Sequence, residues 1–191
     1  MTKNVFRGLM FGAVLLVAWS PAAFGQLNSN TATVSLTATL GETLSISATP
    51  TSTSFTLVAG GSANASAPVA ITTSWVLGAS RASVTLTGWF ATAAQALTSG
   101  GSSPVYIPTS EVLGQVTTGS PTTFTAFTQS PGTGGLGVTG ASLVLFTQAI
   151  SNTNRNANRT DNLNLQINLT SQPQLPAGTY TGTLNLQAQA L

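Results

Sequence analysis

The sequence contains no histidine and no cysteine. A Ser-His-Asp or Cys-His catalytic arrangement uses imidazole as its base, so neither can be built from this chain. Zinc and copper centres draw on His and Cys ligands, and the two absences together exclude them in practice. Without cysteine there is no disulfide framework, and the fold must be held by its core or by partners. Charge is scarce as well: 4% of residues are charged, against about a quarter in an ordinary chain. The carboxylates are Glu42, Glu111 and Asp161. A glycosidase needs two of them close together, and Glu42 and Asp161 both occupy turn-like positions. The chain reads as a non-enzyme with no cofactor and no metal site.

The N-terminus "MTKNVFRGLMFGAVLLVAWSPAAFGQ" carries Lys3 and Arg7, then an apolar run from Leu9 to Trp19, then Pro21 and the small-x-small site Ala23-Phe24-Gly25. These are the three regions of a secretory signal peptide, and residues 1–25 are assigned to one, with cleavage expected after Gly25. The apolar run is roughly 11 residues, short of the about 18 to 20 that span a bilayer. Cleavage leaves no membrane span and places the protein in the periplasm, at the cell surface or outside the cell.

Removing that leader changes the charge reading. The net charge of +2 comes from Lys3 and Arg7. What remains is Arg81, Arg155 and Arg159 against Glu42, Glu111 and Asp161, which cancel. No cluster of Lys and Arg is left to bind nucleic acid or anionic lipid. Thr and Ser fill the place of charge, at about three residues in ten. A neutral Thr-rich surface suits β-structure and favours association between molecules.

Apolar residues alternate through most of the remaining chain. "TATVSLTATL" places Val34, Leu36, Ala38 and Leu40 on one face, and "GETLSISATP" follows after a tight Gly41-Glu42 connection. "TSFTLVAGG", "APVAITTSWVL", "ASVTLTGWFA", "ASLVLFTQAI" and "LNLQINL" continue at period two. The stretch 92–140 is rich in Gly, Ser, Thr and Pro and reads as an insertion with short apolar pieces. A turn or two of helix is one reading of Ala91–Leu97. The end, "LPAGTYTGTLNLQAQAL", alternates from Tyr180 onward, after a turn built on Pro176 and Gly178. The Tyr180 hydroxyl needs a partner at that corner. About seven to nine strands at turn-punctuated spacing predict one all-β domain over 26–191, an immunoglobulin-like Greek-key β-sandwich.

Three segments invite chemical readings. "SNTNRNANRTDN" reads as a solvated Asn-rich turn carrying an Arg159–Asp161 pair, since a calcium site would need more carboxylates. "GTGGLGVTG" lacks the Lys of a phosphate-binding loop, and no helix follows it. Trp75 is in phase with Val69 and Ile71 and is expected in the core. Trp89 is out of phase with Leu86 and Phe90 and, with Tyr106, is a candidate glycan contact.

The alternating strand after a signal peptide, the Thr/Ser-rich body and the closing "LPAGTYTGTLNLQAQAL" resemble the spore coat U and fimbrial-subunit type of secreted bacterial domain. The resemblance implies an immunoglobulin-like sandwich, extracellular assembly, in pili by a strand donated between subunits, and no enzymatic activity. The expectation is a secreted structural or adhesive subunit that assembles with itself or related subunits through β-strand pairing, with a periplasmic chaperone as a further possible partner. Val34, Leu36, Ala38 and Leu40 form the candidate assembly strand, because Thr31–Leu40 carries no charge to block edge pairing. The alternative is a carbohydrate-binding module using Trp89 and Tyr106. An outer-membrane barrel is disfavoured by the small number of Trp and Tyr available for aromatic girdles.

Overall fold

A computed structural model describes residues 27–191 of the chain; the leader expected at 1–25 lies outside the described residues. The chain divides into a unit ending at Ala38 and a body, Thr39–Leu191. In the first unit, residues 27–38 carry no helix or strand, and Val34 and Leu36 are 82% and 89% exposed. The alternation over Thr31–Leu40 therefore does not become a strand within one copy. A strand needs a hydrogen-bonded neighbour, which periodicity alone does not supply.

The body is all-β, with every named strand pairing antiparallel. Its strands are β1 (Thr43–Thr49), β2 (Ser62–Asn64), β3 (Val69–Val76), β4 (Ser83–Trp89), β5 (Leu97–Thr98), β6 (Tyr106–Ile107), β7 (Val112–Val116), β8 (Thr125–Ala126), β9 (Ser142–Ala149), β10 (Asn156–Asn168) and β11 (Asn185–Ala190). One sheet has the order β1-β3-β10-β7-β8, with β2 also paired to β10; the second is β11-β4-β9; β5 and β6 form a two-stranded ribbon. The sheets are open and do not close into a barrel. Among the described residues no helix is long and apolar enough to cross a membrane.

Period-two alternation explains the long strands. β3 buries Val69, Ile71, Thr73 and Trp75 and leaves the residues between them half-exposed. β4, β9 and β10 add Leu86, Leu143, Leu145, Phe146, Leu163 and Ile167, all almost fully buried. The glycine-rich middle also contributes core: Ile107, Val116 and Phe127 are buried, and Phe127 meets Phe90 edge-on with ring centroids 5.3 Å apart. Such aromatic pairs add to area burial.

Four local expectations are corrected. The Asn-rich stretch after Arg155 is the first half of β10, the longest strand, and only residues 151–155 remain outside it as a turn. Its inward row is Ala157, Arg159, Asp161 and Leu163, so charged residues at core-facing positions hid the alternation. Phe55 makes only an isolated bridge with Ala65. No helix forms at Ala91–Leu97; a short 3-10 turn at Thr109–Glu111 is present instead. The last strand begins at Asn185, not Tyr180. Ahead of it, Thr181 bridges Thr98, and Gly182 lies so close to the Ala96 carbonyl that a Cβ would not fit. Both contacts pair this stretch with the chain at β5, while the pairing with β4 starts at Asn185.

Candidate functional site

β1 and β11 are the outermost strands of their sheets. Each has a strand partner on one side only, β3 for β1 and β4 for β11. Their inward-facing residues are incompletely covered: Leu44, Ile46 and Ala48 on β1, with Leu186, Ala188 and Ala190 on β11, pack against the core yet remain half-buried. Core residues with both neighbours in place, such as Val84 and Leu86 on β4, are fully buried. The difference comes from the missing neighbour, not from the residue type.

At one end the two edges are tied together. Arg81, in the β3–β4 loop, pairs with Glu42 at 2.9 Å and donates a second hydrogen bond to the Ala190 carbonyl. Glu42 also accepts the Gly78 amide proton at 2.5 Å. The Arg81 guanidinium and then the Gly78 N–H hold the Glu42 carboxyl below the ordinary carboxylate range, and Glu42 in turn raises Arg81. Arg81 thus joins the root of β1 to the end of β11.

At the other end the edges open onto a cavity of about 1050 Å³. Its floor reaches into the core, where Val69, Phe90, Val112, Leu165 and Ile167 line it; Ala48 and Leu186 stand at its two edges. Thr51–Ser54 on one side and Pro176–Thr183 on the other form a more polar rim. The groove is therefore apolar within and rimmed by hydroxyls and backbone. Two free strand edges beside an apolar slot suit an extended peptide whose alternate side chains are apolar.

The rim includes the corner read from sequence. The Tyr180 hydroxyl donates to the Pro176 carbonyl at 2.8 Å, fixing the turn between them. Gly178 keeps a φ outside the left-handed region, so the turn does not use the conformational freedom of glycine. Trp89 and Tyr106 sit on different sheets. Trp89 is half-buried and Tyr106 is 36% exposed. Trp75 is a core residue whose indole N–H donates to the Asn154 carbonyl at 2.8 Å.

The carboxylates are dispersed and engaged. Asp161, 1% exposed, bonds Arg159 through both oxygens at 2.5 and 2.8 Å and accepts the Thr118 hydroxyl at 2.7 Å. Arg159 stacks on the Phe146 ring with its guanidinium carbon 4.5 Å from the centroid. The sequence pointed to this pair, but placed it in solvent. Glu111 accepts a hydrogen bond from the Ser171 hydroxyl. Among the described residues no group of three His, Cys, Asp or Glu could hold a metal ion.

Sequence reasoning missed the groove and the Arg81 clamp. Both depend on residues brought together from distant parts of the chain, for which spacing carries no signal. Comparison with protein-family models, curated proteins and solved structures finds no match.

Proposed function

We propose that the protein is a secreted structural or adhesive subunit of a pilus, coat or surface layer, assembled by β-strand pairing between immunoglobulin-like sandwich domains. The observation that carries this reading is the apolar groove between the free edges of β1 and β11. A second observation supports it: the segment Thr31–Leu40 leaves Val34, Leu36, Ala38 and Leu40 exposed at alternate positions. A row of Val and Leu side chains left in water gains about 1.5 to 3 kcal/mol per fully buried side chain. An unpaired strand edge gains hydrogen-bonded neighbours by accepting another strand. The same event satisfies both.

The test compares a chain beginning at Gln26 with one beginning at Gly41, by size-exclusion chromatography with light scattering and by negative-stain microscopy. The longer chain is expected to form oligomers or filaments, and the shorter chain to lose them. Stable monomers from both chains would refute strand-mediated assembly. They would then direct a glycan screen at Trp89 and, separately, at Tyr106.

A further inference from the structure

We infer that a second cavity, on the β9 side of the body, binds a single neutral sugar ring. Its argument and its test are independent of strand pairing. The cavity holds about 330 Å³, at the lower end of the range of about 300 to 1,000 Å³ for small-molecule sites. The inward row of β10 supplies Ala157, Arg159 and Asp161, and the loop after β7 supplies Thr118. Gln148 comes from β9 in the other sheet. It stands opposite Val84, a core residue, so it projects to the inner face. Trp75 of β3 closes one side. Its indole N–H is spent on the Asn154 carbonyl, so what it adds to the lining is apolar ring.

The lining decides the class of ligand. Arg159 and Asp161 are its only charged residues, and they neutralise each other. A charged ligand therefore meets no net opposite charge, and one carboxylate is too few for a calcium ion. An apolar ligand would strip water from polar groups and return no hydrogen bond. A neutral molecule rich in hydroxyls satisfies the same groups.

The hydrogen-bonding groups are held in place before any ligand arrives. Arg159 donates to Asp161 through Nε and Nη2, and Nη2 also donates to the Thr118 carbonyl. The guanidinium lies on the Phe146 ring. Among the described residues, Nη1 has no partner. Gln148 donates its amide to the Ala149 carbonyl, and among the described residues its Oε1 accepts nothing. The lining thus presents an unused donor and an unused acceptor. A hydroxyl both donates and accepts, so neighbouring hydroxyls on one ring answer both. The C–H edge of the same ring suits the indole. A buried ion pair is weak evidence for stability; a rigid guanidinium at a cavity wall gives this one a use.

The test takes the chain beginning at Gln26 with Trp89→Phe, so that Trp75 is the one indole that reports. Glucose, galactose, mannose and N-acetylglucosamine are titrated in turn, followed by Trp75 emission and by saturation-transfer NMR. At least one is expected to shift the emission and to bind in the millimolar range, the scale for a ligand of about 12 non-hydrogen atoms at ordinary efficiency. Ala157→Leu puts a larger side chain into the cavity and removes no hydrogen bond. It is expected to abolish binding while the sugar-free thermal midpoint is retained. Gln148→Ala removes the acceptor, and is expected to weaken binding roughly threefold to tenfold, the scale of one hydrogen bond. That variant carries the test if the leucine does not fit. Binding by none of the four sugars would overturn the inference and leave a hydrated gap. Binding that Ala157→Leu or Gln148→Ala leaves intact would overturn it too, and would place the sugar elsewhere on the body.

Discussion

Arg159 and Asp161 show how much one residue decides by what it leaves behind. Asp161 is at an inward position of β10, 1% exposed, and its oxygens are satisfied by Arg159 and the Thr118 hydroxyl. Burying a charge is tolerable only while it is paired and hydrogen-bonded. Arg159→Ala is therefore expected to cost on the order of 3 kcal/mol, the scale for stranding one member of a buried pair. Urea unfolding at neutral pH measures it, and a cost of only a few tenths of a kcal/mol would show that the pair contributes nothing. The Arg159–Asp161 pair was legible because opposite charges two positions apart lie within reach of each other, even though the segment read as a turn and not as a strand. Its burial was not, because nothing in "NRTDN" marks which face that is.

Among the elements, the long strands were legible and the short ones were not. β3, β9 and the second half of β10 alternate strongly enough to be read directly from "VAITTSWV", "SLVLFTQA" and "LNLQIN". β2, β5 and β8 take their form from neighbours in space, and two or three residues carry no period. The groove was illegible for the same reason, since it exists only where two edges from opposite ends of the body meet. β1 itself is held at its root by Glu42. The carboxylate form of Glu42 makes the hydrogen bonds to Arg81 and Gly78, and its pKa in the folded state lies below the ordinary value of 4.5. The unfolded chain therefore takes up this proton first as pH falls. Stability from the clamp is complete above the ordinary carboxyl range and is lost as pH drops through the folded value. Glu42 and Arg81 are about two-fifths exposed, so solvent screens the pair and the change is small. Glu42→Gln is expected to lower the urea midpoint slightly at about pH 7 and to leave a shallower decline toward about pH 3. An acid decline identical to that of the unaltered chain would place the sensitivity elsewhere.

For the whole molecule, the balance of charge sets how copies meet. Once residues 1–25 are set aside, the formal charges cancel, so no net charge draws copies together or holds them apart. If assembly rests on apolar side chains entering a groove, it is expected to persist from low salt to about 1 M, where the Debye length is about 3 Å. Light scattering across that range tests it, and dissociation at high salt would mean that ionic contacts hold the assembly. The Arg81 clamp has one more consequence. It closes the groove at the end where the segment of the same copy is rooted, and leaves the opposite end open. If copies assemble by strand pairing as proposed, each joins through the segment of one copy and the groove of the next, so a growing chain keeps two unlike tips, and a single copy lacking residues 31–40 is enough to stop it.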